Sequence, residues 1–123
     1  MAFQINHIHI KTRDPRVTAD WFVKNLGAKI ASENKSGGKL VGIRLDLHGL
    51  GVNVTDFLEG QKLGQHYGME HLALDSDDVH GEVAKLRAAG ARILEERNLP
   101  DGRHVCFFEG PEGVRLEVME WRK

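Results

Sequence analysis

The chain has 123 residues, of which 41% are hydrophobic and 28% charged, and its formal net charge is −1. That length suits one compact domain or two small modules sharing a core, and the composition is that of a soluble globular chain. The near-neutral balance, with no basic run, argues against nucleic acid or an anionic membrane as partner, and the longest apolar runs are too short to cross a bilayer. Met1-Ala2-Phe3-Gln4 lacks the basic and apolar regions of a signal peptide, and the single cysteine, Cys106, cannot form an intrachain disulfide. Both features fit a cytoplasmic protein.

Residues 3–12 read as a strand. In Ile5-Asn6-His7-Ile8-His9-Ile10-Lys11, Ile8 and Ile10 share one face and His7, His9 and Lys11 the other. Taken alone, the stretch reads as a strand whose polar side faces water; two imidazoles in one phase also suit the wall of a polar cavity. Asp14-Pro15 opens a helix, with Asp as N-cap and Pro at the first position, where its missing N–H costs nothing. Val17, Trp21 and Asn25-Leu26 give the helical spacing, Trp21 is expected in the core, and Gly27 ends the helix. Residues 28–34 form a strand, followed by a turn. Residues 39–48 alternate, with Val41, Ile43, Leu45 and Leu47 on one face and Gly42, Arg44, Asp46 and His48 on the other. Residues 50–56 turn Val52 and Val54 toward the core and Asn53 and Thr55 away. Residues 57–68, with Gly60, Gly64 and Gly68 and no clear period, read as a mobile connection able to cover a site.

The order β-α-β-β-β then recurs. Residues 69–75 form a strand, and Ser76 or Asp77 begins a helix with Val79, Val83 and Leu86 as its apolar stripe, His80 toward solvent and Gly90 at its end. Residues 91–97 form a strand, and residues 103–109 and 114–121 a hairpin around Gly110-Pro111-Glu112-Gly113. Leu116 and Val118 face the core, Arg115, Glu117 and Met119 the other side, and Cys106 is a packing residue.

The recurrence is visible residue by residue. Glu70-His71-Leu72-Ala73-Leu74 reads like Asn6-His7-Ile8-His9-Ile10, and the stretch Gly113–Val118 like Gly49–Val54, both at an offset of 64. Asp14 and Asp78 each follow their histidine by seven residues and open a helical pattern. One offset in separated stretches argues for two copies of one module, approximately residues 1–58 and 67–123. The expected fold is α+β, with two paired βαβββ modules forming a curved eight-stranded mixed sheet. A pseudo-twofold axis would gather His7, His71, Asn53 and Glu117 into a cluster with the composition of a metal site.

With Asn6-His7-Ile8 and Asp14, Glu70-His71-Leu72 and Asp78, and Phe107-Phe108-Glu109-Gly110-Pro111-Glu112-Gly113 leading into Leu116-Glu117-Val118, the whole chain resembles the vicinal oxygen chelate superfamily, also called the glyoxalase/bleomycin resistance/dioxygenase family. The resemblance implies a cup around a metal or a small-molecule ligand, often in a homodimer, with ligands on the first and last strands of each module. Here those positions are His7, Asn53, His71 and Glu117. A typical glyoxalase I has a carboxylate where this chain has Asn53. The resemblance therefore implies His7, His71 and Glu117 as ligands to one divalent ion (Zn, Ni, Co, Mn or Fe), with Asn53 a weak ligand or a substrate contact. His9, one pleat from His7, is a candidate general base or a support for the ligands. Arg44 and Arg115 could hold a substrate carboxylate or form surface salt bridges. The function implied is glyoxalase-like, a metal-dependent lyase or isomerase acting on a small oxygen-chelating substrate. Its alternatives are a fosfomycin-type thiol transferase, an extradiol-type dioxygenase and a metal-free binding protein of the bleomycin-resistance type.

Overall fold

The computed structural model describes residues 3–121; Met1 and Ala2, read as the lead-in to the first strand, lie outside the described residues. The elements in chain order are β1 (Phe3–Lys11), α1 (Pro15–Leu26), β2 (Lys29–Ser36), β3 (Lys39–Leu47), β4 (Leu50–Thr55), β5 (Gly68–Ser76), α2 (Val79–Ala88), β6 (Arg92–Asn98), β7 (His104–Glu109) and β8 (Arg115–Glu120), with one 3-10 turn at Pro111–Gly113. This is an α+β fold with an eight-stranded mixed sheet, as the repeated β-α-β-β-β order predicts. The described residues divide into two compact units, His7–Glu70, termed the first half, and residues 71–121 together with residues 3–6, termed the second half.

In the first half the strand order is β2-β3-β4-β1, with β1 parallel to β4 and the other pairs antiparallel. The Asp14 carboxylate accepts the Val17 N–H at 3.2 Å, and Pro15 stands in the first turn. The far end of α1 is closed from outside the helix: His48, at the hairpin tip with φ 53°, places Nε2 2.7 Å from the Leu26 carbonyl oxygen. Ala19, Ala28, Ile43, Leu45, Val52 and Val54 form the core, with Ile10 and Phe22 packed against it. Trp21, expected in that core, is 55% exposed. Helix α1 instead buries Pro15 and Ala19, one turn apart, whose small side chains let the helix lie close to the sheet.

In the second half the order is β5-β8-β7-β6, with β5 parallel to β8 and the rest antiparallel. Val79, Val83, Cys106, Phe108 and Val118 form the core under α2. Helix α2 starts later than Ser76 or Asp77. Its cap is Asp78, whose carboxylate accepts the Gly81 N–H at 3.0 Å, while Ser76 Oγ accepts the Asp78 N–H at 3.0 Å and fixes the preceding turn. His80, exposed as expected, stacks on His104 at 4.6 Å. The His104 ring nitrogens lie 3.0 Å from Glu96 Oε1 and from Asn98 Oδ1. The His104 hydrogen bond, with help from Arg87 and against the effect of burial, holds the Glu96 carboxyl below its ordinary value.

Two outcomes follow for stability. Ala19→Leu overpacks the α1 interface and should cost about 1–3 kcal/mol, while Trp21→Ser should stay within about 0.5 kcal/mol, both measured by urea denaturation. Burial pushes the Cys106 thiol from 9.0 up to about 11. The folded thiol therefore keeps its proton where the unfolded thiol has lost it, and folding stability should fall as pH rises from 9.0 toward about 11. Denaturation of wild type and Cys106→Ala across that range checks it: the alkaline loss is smaller in the variant.

Candidate functional site

On β1 the polar phase is the buried one. His7, His9 and Lys11 are buried, Lys11 to 1% exposure, while Ile8 and Ile10 are half-buried. This overturns the reading of a strand with its polar side in water. On β5, His71, Ala73 and Asp75 are likewise buried and Leu72 and Leu74 only half so. Polar groups removed from water need partners, and most of the site's local structure supplies them.

In the first half, Ser32, Arg44, Asn53 and His9 stand in cross-strand register on β2, β3, β4 and β1. Residues opposite one another share a face, so these four form a row on the side away from the core. Arg44 is exposed at this row, while Asn53 is half-buried with its Oδ1 fully buried and no hydrogen-bond partner among the described residues. His9 Nε2 lies 2.8 Å from Thr55 Oγ1, and the His7 ring meets the His9 ring edge-on at 5.8 Å. Thr55 has its place because position 42 is glycine: a β-carbon there would come within 2.8 Å of Thr55 Cγ2.

Lys11 Nζ is 3.8 Å from Glu70 Oε2, with both side chains fully buried. Gln61 donates to Glu70 Oε1 at 3.3 Å, and the Asp56 carbonyl lies 3.5 Å from Lys11 Nζ. The linker is thereby fastened. Gln65 binds the Leu58 N–H and C=O at 2.8 and 2.9 Å, Phe57 and Tyr67 stack at 4.3 Å, and the Arg13 guanidinium sits 4.2 Å over the Tyr67 ring. The connection expected to be mobile is a loop tied at both ends.

In the second half the corresponding row is Glu95, Phe107, Glu117 and Ala73 on β6, β7, β8 and β5, facing away from the Cys106, Phe108 and Val118 core. His71 Nε2 lies 3.2 Å from Glu117 Oε1, both side chains buried, and the His71 ring meets Phe107 edge-on at 5.1 Å. Arg115, half-buried, stands across from Glu109 at the end of β8. The repeat holds in register: His9 pairs with Asn53 as Ala73 pairs with Glu117.

Of the residues singled out in the sequence, His71 and Glu117 are in contact, and His9, Asn53 and Arg44 share one row with His7 beside it. Sequence reasoning missed two charged pairs, Lys11–Glu70 and Glu95–Arg97. Lys11 carried a signal, its phase with His7 and His9. Glu95 carried none, because its face is set by an irregularity in the β6–β7 ladder.

Residues 4–118 match the model of the Glyoxalase/Bleomycin resistance protein/Dioxygenase superfamily, and the chain belongs to that family. It is similar to the uncharacterized protein YwbC of Bacillus subtilis (strain 168), with 25% identity over 125 residues that cover 98% of this chain and 99% of YwbC. A solved hypothetical protein from Bacillus halodurans C-125 shares the fold with a TM-score of 0.80 and 16% identity over 100% of this chain and 97% of that one. Methylmalonyl-CoA epimerase from Mycobacterium tuberculosis shares it with a TM-score of 0.73 and 19% identity over 97% and 88%.

The support of His9 is open to a direct check. Thr55→Val removes the hydroxyl bonded to a buried imidazole and should cost about 1–3 kcal/mol in urea denaturation. Gly42→Ala, which pushes on the same threonine, should cost a similar amount, about 1–3 kcal/mol. Both should shift the His9 imidazole resonances and leave those of His80 in place.

Proposed function

We propose that this protein is a glyoxalase-type metal-dependent enzyme, with lyase or isomerase chemistry on a small oxygen-chelating substrate, and that His7, His71 and Glu117 hold its divalent ion. The observation that carries the reading is the 3.2 Å approach of His71 Nε2 to Glu117 Oε1, two buried side chains of metal-ligating type. The donor set fits the group: two imidazoles and a carboxylate suit Zn, Ni, Co, Mn or Fe. The buried Asn53 Oδ1, without a hydrogen-bond partner among the described residues, adds a carbonyl oxygen for a cation or a substrate donor. Bound there, the ion supplies Lewis acidity toward the vicinal oxygens of a substrate.

The chain's own residues do the rest. His9, its ring oriented by the Thr55 hydroxyl, takes a proton from the substrate carbon beside those oxygens and returns it. Arg44, in the row of Asn53 and His9, binds a carboxylate end of the substrate, and Arg115 serves the same role from β8. Burial of the His7 and His9 side chains keeps bulk water from the proton in transit. Family membership supports a small-molecule substrate, and an epimerase on the same fold is compatible with isomerase chemistry. The reading includes a homodimer and a cytoplasmic setting. Among the described residues no helix is long and apolar enough to cross a membrane.

Elemental analysis of wild type and His71→Ala, purified side by side without chelator, tests the reading. Wild type should hold about one divalent ion per chain and the variant none. With a metal-loaded wild type, exchange of a hydroxy-carbonyl substrate's carbon-bound proton for solvent deuterium should be lost in His9→Gln. No ion in either protein, even after reconstitution with each of the five metals, would replace this reading with that of a metal-free binding protein. Oxygen consumption with a catechol would replace it with a dioxygenase.

A further inference from the structure

The second half holds a polar pair that the proposed chemistry leaves unused. In the β6–β7 ladder Ile93 faces Phe108 and Glu95 faces Phe107, so Leu94 is the extra residue of a β-bulge. In an unbroken ladder Glu95 would stand opposite Cys106 and turn into the core under α2. The bulge turns Glu95, and Arg97 two residues on, to the face that carries Glu117.

The Glu95 side chain is 8% exposed and that of Arg97 34%, and Glu95 Oε2 lies 3.7 Å from Arg97 Nε, within ion-pair distance but beyond hydrogen-bond reach. Glu95 Oε1 and Arg97 Nε are both buried, and neither has a hydrogen-bond partner among the described residues. The guanidinium carbon of Arg97 is 5.9 Å from the centre of the Phe107 ring, the same ring that His71 meets edge-on at 5.1 Å. One aromatic ring therefore separates this pair from His71 and Glu117. Buried polar atoms without a hydrogen bond are rare in native proteins, and here an acceptor and a donor of one ion pair both lack one.

We propose that Glu95 and Arg97 form a subsite for a carboxamide-class group of the substrate. The amide N–H donates to Glu95 Oε1, its carbonyl accepts from Arg97 Nε, and the adjoining carbon chain lies along Phe107. The charges of the pair offset one another, so the subsite favours a neutral group offering one donor and one acceptor. A carboxylate would satisfy Arg97 but bring two anions together at Glu95. The subsite deepens the proposed function by naming the substrate's far end, and it rests on that reading only in taking His71 and Glu117 as the reacting end.

The test uses the full chain labelled with nitrogen-15. The Arg97 Nε–Hε cross-peak, assigned by its loss in Arg97→Lys, is followed while propionamide or propionate is added. Propionamide should move the peak saturably, propionate should require roughly tenfold more ligand for the same shift, and Glu95→Gln should abolish that preference. A propionate response equal to or stronger than that of propionamide, no response to propionamide in folded wild type, or an unchanged preference in Glu95→Gln would overturn the subsite. The titration is run with and without added divalent metal. Loss of metal binding leaves the propionamide shift in place, so the two readings fail separately.

Discussion

Taking the polar phase of β1 out of water is the constraint on which the first half depends. Two imidazoles and an ammonium on one buried face would be prohibitive without partners. His9 has the Thr55 hydroxyl, and Lys11 has Glu70 and the Asp56 carbonyl. Each partner makes its own demand. Thr55 needs a glycine at position 42, and Glu70 draws Gln61 out of the linker. The loop from 57 to 67, which has no helical or strand period of its own, is thus held in place by the need to satisfy a buried lysine. A buried ion pair is weak as a source of stability but strongly penalises loss of either partner, which suits a strand that must stay in one register.

The two halves share an architecture and differ in chemistry. Both carry a β-bulge at the same place in their second strand, between Ile30 and Ser32 and between Ile93 and Glu95. Each presents a four-residue row on the face away from its core. Position by position, Ser32, Arg44, Asn53 and His9 answer to Glu95, Phe107, Glu117 and Ala73. The repeat supplies a common scaffold, and the substitutions between copies give the two rows different chemistry. One copy carries a buried imidazole and an exposed guanidinium, the other a carboxylate in contact with a histidine and an aromatic wall beside a second carboxylate. Asn53 holds the position that Glu117 holds in the other copy, so the two copies present an amide and a carboxylate at equivalent places.

Much of this was legible in the sequence wherever the physics is local. Asp14-Pro15 and Gly27 bounded α1 because capping depends on a few neighbouring residues. Alternation in residues 39–48 assigned the faces of β3 correctly, since Ile43 and Leu45 are core and Arg44 is not. Trp21 was misplaced because spacing identifies a helical stripe without saying which stripe meets the sheet. Steric fit settled that in favour of Pro15 and Ala19. The start of α2 was left between Ser76, Asp77 and Asp78 because all three are competent caps, and the choice fell to Asp78, whose carboxylate reaches Gly81. The linker looked mobile because its partners, Arg13 and Glu70, are distant in sequence or lie on a strand.

By itself the sequence determined the β-α-β-β-β order, its repetition at an offset of 64, and the phase that His7, His9, Asn53, His71 and Glu117 occupy on their strands. Those properties follow from period-two alternation, capping chemistry and self-similarity, which act over a few residues or compare like with like. Only the tertiary structure decided which phase of β1 and β5 is covered, because alternation defines two faces and leaves their burial to the neighbours. It alone brought His71 to Glu117 and Lys11 to Glu70. It alone turned Glu95 toward Phe107, because one extra residue in a ladder flips every side chain beyond it, and no local pattern marks Leu94 as that residue.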